Sequence, residues 1–545
     1  MSTISWTTKR EEKARRLKSI AHLADKTVIK KENIVEVLEK LIQPGDKVVL
    51  EGDNQKQASF LSTALAQLNP SKVNKLHMIM SSISRPDHLD IFEKGIAEKI
   101  DFSFAGPQSL RVAQMLDDGI LKIGGIHTYL ELYGRLFIDL IPNVALVAAD
   151  KADRNGNIYT GPNTEETPAI VEATAFKDGI VIVQVNEIVD ELPRIDIPAS
   201  WIDIVVEADK PYQLEPLFTR DPKLVSELHI LIGMMTIRGV YEKHRVKSLN
   251  HGIGFNTAAI ELLLPTYGEK LGLKGKIATN WVLNPHPTLI PAIESGWVET
   301  VHCFGGEVGM EKYVAARPDV FFTGRDGSLR SNRAFAQVAG QYAIDMFVGS
   351  TLQIDKKANS STVISGRLAG FGGAPNMGHD PHGRRHSSEA WLNLITSKDP
   401  LAKGRKLVVQ TVETFENGNT PVFVESLDAV EVGKKANLAT APVMIYGDDV
   451  THVVTEEGIA YTYKAQGEEE RKQALGAVAG VTPLGRETDT ATIRSLRERG
   501  IVAYPEDLGI QRTEAKRSLL AAKNVQDLVQ WSGGLYNPPA KFKNW

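Results

Sequence analysis

Cysteine is almost absent from this chain. Cys303 is the single thiol in 545 residues, so no intramolecular disulfide framework and no thiolate metal cluster can form, and a reducing compartment, the cytoplasm, is the expectation. Cys303 lies in an apolar run beside Phe304 with no evident base, which reads as packing rather than nucleophilic chemistry. Long apolar runs are missing too. No window holds the roughly 18 consecutive apolar residues of a membrane helix, and the polar stretch from Met1 to Lys18 carries no apolar core of the signal-peptide kind. Neither sign of charge is in excess: 63 Lys and Arg stand against 67 Asp and Glu, a formal net charge of -4, which gives no reason to expect nucleic acid or a membrane as partner. The phosphate-loop motif G-x-x-x-x-G-K-S/T is absent, Gly252-Ile-Gly254 lacks the third glycine of a dinucleotide fingerprint, and no G-x-S-x-G elbow occurs. ATP, NAD and Ser-His-Asp hydrolysis are therefore disfavoured.

A duplicated pattern is present instead. Lys47-Val-Val-Leu-Glu-Gly-Asp53 reads as a strand ending in glycine, followed at helical spacing by Ala58, Leu61, Ala64, Leu65 and Leu68. About 200 residues later, Val246-Lys-Ser-Leu-Asn-His-Gly-Ile-Gly254 repeats the unit, with Thr257 to Leu264 as its helix. Further along, Val144-Ala-Leu-Val-Ala-Ala-Asp150-Lys151 and Ile158-Tyr-Thr-Gly161 find counterparts in Ser350-Thr-Leu-Gln-Ile-Asp355-Lys356 and Val363-Ile-Ser-Gly366. Order and spacing preserved over such a period indicate a tandem duplication. The alternation of short strands and helices predicts two α/β domains with largely parallel sheets, whose sites lie at strand carboxyl ends. Pro211, Pro216 and Pro222 put the boundary near residue 222, giving domains 1–222 and 223–545, the second with a charged helical extension after about Glu457.

Glycine-rich turns are the strongest local feature: His251-Gly-Ile-Gly-Phe-Asn256, Phe304-Gly-Gly-Glu307 and Gly370-Phe-Gly-Gly-Ala-Pro-Asn-Met-Gly378. Each is open to two readings, a tight turn or a backbone approach that leaves N–H groups to meet an oxyanion, as acyl transfer needs. Gly252, Gly254, Gly372, Gly373 and Asn376 are the candidate acyl-site residues. Basic residues gather nearby, with Arg325, Arg330 and Arg333 before the longest loop and His379, His382, Arg384, Arg385 and His386 after it. A dianionic substrate needs a cation for its unreactive carboxylate, and arginine offers a planar fork; Arg325, Arg384, Arg385 and His382 are the candidate substrate-binding residues. The histidine spacing follows glycine and proline rather than a helix and lacks matching carboxylates, so no metal site is expected. Glu307 and the pair Glu456-Glu457 sit beside turns, where a glutamate could attack a thioester or merely cap and pair.

These residues resemble the coenzyme A transferase superfamily, through the duplicated strand–Gly–helix unit and the segment Val453-Val-Thr-Glu-Glu-Gly-Ile-Ala460. The resemblance runs over essentially the whole chain and is closest to the malonate decarboxylase alpha subunits, next to those of citrate lyase. Ser365-Gly-Arg-Leu-Ala-Gly-Phe-Gly-Gly-Ala-Pro-Asn-Met-Gly-His-Asp-Pro-His-Gly-Arg-Arg385 carries the closer likeness. The resemblance implies exchange of malonate for acetate on the thiol of an acyl carrier protein. It implies no covalently bound cofactor on this chain; the thiol belongs to a phosphoribosyl-dephospho-coenzyme A group on the small delta subunit, and beta and gamma subunits decarboxylate the product. One departure stands out: the Ser-Glu-Asn-Gly segment that holds a nucleophilic glutamate in many coenzyme A transferases is missing. Likeness to citrate lyase alpha subunits implies direct exchange between bound carboxylate and thioester; the alternative is a coenzyme A transferase or hydrolase acting on free thioesters, with Glu307 as nucleophile.

Overall fold

The computed structural model describes residues 6–212, 214–329, 331–379, 406–543 and 545. Two sheets organise the chain. The first runs, in spatial order, through strands 24–25, 28–29, 204–207, 180–189, 144–153, 47–50, 76–82, 97–104 and 122–126. The second runs through 300–302, 280–282, 248–251, 346–349, 407–411, 452–454, 459–460 and 502–503. Taken outward from 47–50 and 248–251, the two orders correspond strand for strand. On one side 76–82 and 97–104 match 280–282 and 300–302; on the other 144–153, 180–189 and 204–207 match 346–349, 407–411 and 452–454. All these pairings are parallel.

The central strands 144–153, 180–189, 204–207, 346–349 and 407–411 are largely apolar because both faces of the sheets are covered. Successive side chains point to opposite faces, so Val144, Leu146 and Ala148 enter one core while Ala145, Val147 and Ala149 enter the other. The second sheet divides in the same way: Val409 enters one cluster and Val408 the other.

One turn shows the duplication at atomic detail. Asp153 Oδ1 accepts from the N–H groups of Asn155 and Asn157, and Asn157 Nδ2 donates to Asp153 Oδ2. Asp355 makes the same three bonds with Lys357 and Asn359. Asp355 thus corresponds to Asp153 and not to Asp150, its counterpart in the sequence repeat; that pairing is off by three because it matches Asp-Lys pairs rather than turns.

The halves interlock. Val363, Leu368 and Val432 of the second half lie in the core of the first. The glycine loop is stitched to the strand 97–104: Ala105 N–H donates to Ala369 O at 2.8 Å, and the N–H groups of Phe371 and Gly372 both donate to Ser103 O at 2.6 and 2.9 Å. Gly370 has φ +78°, and a Cβ there would lie 2.4 Å from Ser103 O. Only glycine fits that crossing.

Candidate active site

A cavity of about 220 Å³ opens where the halves meet. Strand ends of the second sheet supply His251, Gly252, Ile253, Phe347, Gly349 and Ser350; the glycine loop supplies Gly370 to Ala374; the first half adds Phe104 and Tyr129. Arg333 and Gln337, one turn apart on the helix Arg333–Ala343, form another wall. Among the described residues that line it, Arg333 is the one Lys or Arg. A larger space of about 580 Å³ adjoins it, sharing Phe371 and bordered by His127, Arg135 and Asn376.

Arg333 is 4% exposed and reaches across the boundary into the first half. Its guanidinium pairs with Asp53, donates to Glu165 Oε2 at 2.8 Å and lies over the Tyr129 ring, 4.8 Å from the centroid. Glu165 Oε1 and Arg333 Nε are buried without hydrogen-bond partners among the described residues. Glu166, next in sequence, accepts from Ser81 Oγ at 2.7 Å and Tyr133 OH at 3.1 Å. Burial pushes the Glu165 carboxyl up to about 7 against the pull of Arg333, and pushes Glu166, with Asp53 adding to the effect, up to about 8. Buried carboxylates this close to one another resist ionising together.

A second buried network stands behind His251. Its Nδ1 meets Glu261 Oε1 at 2.9 Å, and the same oxygen meets His286 Nδ1 at 2.9 Å. Burial alone would raise Glu261, but the two histidines win and hold it down near 2. His286 in turn stacks on Phe218, 5.3 Å between centroids, which fixes the linker side of the cavity.

The residues proposed from sequence fall in different places. Gly252, Gly372 and Gly373 line the cavity. Two of their N–H groups are already committed: Gly252 donates to Val348 O at 2.7 Å and Gly372 to Ser103 O. Gly254 precedes the helix Phe255–Leu263 in extended backbone, φ 166°. The first N–H groups of any helix lack intrahelical acceptors, so this N-terminus, beside Gly252 and Ile253, is the anion-friendly edge of the cavity. Asn376 borders the larger space and donates through Nδ2 to Gln337 Oε1 at 3.3 Å. Glu307 is 2% exposed, with its oxygens accepting from Thr219 N–H, Thr219 Oγ1 and Phe218 N–H at 2.9, 2.7 and 3.2 Å. It clamps the linker. Glu456 does similar work at Thr414, accepting from its N–H at 3.1 Å. Arg325 is exposed on the turn 324–328, away from the cavity lining. Arg330, His382, Arg384, Arg385 and His386 lie outside the described residues. Among the described residues no His, Cys, Asp and Glu group could hold a metal, and no helix is long and apolar enough to cross a membrane.

Asp53, Glu165 and Gln337 were not singled out from sequence. Asp53 carried a signal: it ends the strand–turn unit of the first repeat, and Glu51 N–H bonds Leu146 O as Gly252 N–H bonds Val348 O. Glu165 and Glu166 carried a weaker one, an acidic pair ahead of the helix Thr167–Ala175.

The two tandem α/β halves with a cleft between them belong to a fold class shared with solved citrate lyase alpha and acyl-coenzyme A transferase chains. A putative citrate lyase alpha subunit from Streptococcus mutans shares that fold at 16% identity and a TM-score of 0.59, over 94% of this chain and 87% of the other. Within this class the chain belongs to the malonate decarboxylase alpha subunit family (full description: "Malonate decarboxylase, alpha subunit, transporter"), whose pattern matches residues 5–545. It is 57% identical over 529 residues, 96% of each chain, to an acetyl-S-ACP:malonate ACP transferase of Malonomonas rubra. It is 66% identical, with a TM-score of 0.96 over 99% of each chain, to a chain in the crystal structure of a Pseudomonas malonate decarboxylase hetero-tetramer in complex with malonate.

Proposed function

We propose that this chain exchanges malonate for acetate on the thiol of an acyl carrier protein, so that acetyl carrier protein and malonate give malonyl carrier protein and acetate. The observation that carries the reading is the 57% identity, over nearly the whole length, to an enzyme named for this reaction. The cavity supports it chemically. A malonate oxygen attacks the acetyl thioester carbonyl, the thiolate leaves, and the same thiolate then attacks the malonyl carbonyl of the mixed anhydride and expels acetate. Each tetrahedral oxyanion meets the N-terminus of the helix Phe255–Leu263, and the halves' rigid seam holds both reactants in line. Arg333 is the cation for the carboxylate that does not react, with Asp53 and Glu165 fixing its plane. Gly252, Gly372 and Gly373 shape the wall, and Asn376 orients Gln337. Arg384, Arg385 and His382 are further candidates for malonate binding. Glu307, whose oxygens accept three linker hydrogen bonds, fits a clamp better than a nucleophile.

The carrier thiol belongs, in this reading, to a phosphoribosyl-dephospho-coenzyme A arm on the small delta subunit, reaching the cavity from the larger space through the Phe371 side. Beta and gamma subunits then decarboxylate the malonyl thioester, in the cytoplasm. Incubating the chain with acetylated carrier protein and labelled malonate tests the proposal by intact-protein mass spectrometry. Label is expected on the carrier and not on free coenzyme A; label on coenzyme A alone, or plain hydrolysis, would sink it. Arg333→Lys keeps the charge but not the fork and should cut kcat/KM for malonate by about tenfold or more.

A further inference from the structure

At the edge of the larger space one histidine ring lies between two carboxylates. His127 follows the strand 122–126; its Nε2 meets Asp101 Oδ1 at 2.6 Å and its Nδ1 meets Glu131 Oε1 at 2.9 Å. Asp101 is shared, since its Oδ2 meets His77 Nε2 at 2.5 Å. Gly124 and Gly125 make room for the group, because a Cβ there would strike the Asp101 carboxylate or the His127 ring. A neutral imidazole carries a single N–H, so only the imidazolium donates to both carboxylates at once. Burial would lower His127, but its hydrogen bonds with Asp101 and then Glu131 outweigh burial and raise it above the ordinary 6.5. Burial would likewise raise Asp101 and Glu131, and hydrogen bonds from the histidines hold both below the usual carboxylate range. Arg135 Nη1 comes within 3.4 Å of His127 Nε2, but its guanidinium is paired with Asp139. Lys47 acts on Asp101 through charge, and across the larger space His379 and Asp449 pair with each other.

The two carboxylates belong to elements that build the cavity wall. Asp101 lies two residues before Ser103, whose carbonyl receives the glycine loop. Glu131 lies in the first turn of the helix Tyr129–Ile138, where its N–H donates to the N-cap Thr128 Oγ1 at 3.0 Å. Tyr129, the first residue of that helix, donates its N–H to Gly372 O at 3.1 Å and carries the Arg333 guanidinium over its ring. We propose that His127, as the imidazolium, is a positioning residue for the anion side of the cavity, bridging Asp101 and Glu131 so that the helix start holds Tyr129 under Arg333. His127 is not among the residues lining the cavity and acts through Tyr129. When it loses its proton, Nδ1 presents a lone pair to the Glu131 carboxylate, the bridge opens on the helix side, and Tyr129 and Gly372 lose their fixed frame. The bridge is complete while His127 is charged and is lost as pH rises through its raised pKa.

The test uses the full chain with histidine labelled by carbon-13 at Cε1, titrated by NMR between pH 6 and 10 and with the His127 signal assigned by its loss in His127→Gln. The midpoint should lie above an ordinary histidine's value of about 6.5, and Glu131→Gln, whose amide can donate to a neutral Nδ1, should lower it by about one pH unit. Amide exchange of residues 127–138, followed by mass spectrometry and corrected for its intrinsic pH dependence, should rise several-fold across that midpoint. KM for malonate should rise several-fold over the same interval with kcat nearly unchanged, and Glu131→Gln should move both rises to lower pH together. The KM arm rests on the exchange reaction proposed above and the other two do not, so absence of transfer at every pH would strike that reaction while amide exchange still decides the role of His127. A midpoint at or below about 6.5, exchange or KM that stays flat across it, or a midpoint that Glu131→Gln leaves in place in folded protein would each overturn the proposal.

Discussion

At the scale of single residues, the cavity is governed by charges that are buried before any substrate arrives. Arg333 has two carboxylates in contact and a third, Glu166, nearby, so the cluster carries more negative than positive charge unless a proton is retained. Retention is what the raised Glu165 and Glu166 describe. The consequence for stability has a definite sign. A glutamate near 4.3 in the unfolded chain and about 8 in the fold favours folding fully below the first value, and that contribution is lost as pH rises through the second. Glu166→Gln removes the titration while keeping an acceptor for Ser81 or Tyr133. Its Tm relative to wild type should therefore climb steadily from pH 5 to pH 9. A constant difference across that range would show that Glu166 is ionised throughout.

At the scale of elements, the glycine loops deserve a second reading. Their spacing suggests backbone approach to a ligand, and backbone approach is what they do, but mainly to the other half of the chain. Cβ atoms at Gly305 and Gly306 would collide with Glu165 and Asn163 of the first half. One at Gly370 would strike Ser103 O, and one at Gly373 the Gln337 side chain. A sequence pattern cannot distinguish close approach to a substrate from close approach to a distant strand, because both demand the missing Cβ. Gly370→Ala separates the two. With φ +78° and no room for the methyl group, it should cost at least about 1 kcal/mol of stability. It should also push residues 370–373 off the strand 97–104, lowering transfer activity at temperatures where the protein is still folded. Wild-type Tm and activity together would mean that the crossing is looser than its hydrogen bonds indicate.

At the scale of the whole molecule, the halves are duplicated in topology but not separable in packing, because side chains from beyond residue 222 complete the first core. Leu368, 1% exposed, is one of them. Leu368→Ala should cost about 2–5 kcal/mol, and it should lower the unfolding of the first half as much as that of the second. Near-ultraviolet dichroism and limited proteolysis within residues 24–207 would follow that half; two transitions, with only the later part of the chain affected, would contradict the interlock. The sequence by itself determined the repeat, the parallel α/β class and the strand ends where chemistry gathers, since periodicity and glycine punctuation are local and survive being read along a line. It also carried the family likeness through residues 365–385, most of the basic part of which lies beyond the described residues. It did not determine which of Arg325 and Arg333 lines the cavity. Arg325 and Arg333 are near neighbours in the sequence, but one ends on an exposed turn and the other at the start of a helix aimed at Asp53 and Glu165. Only the tertiary structure decided that, because the partners of Arg333 are 280 and 168 residues away along the chain and become neighbours when the two sheets close on each other.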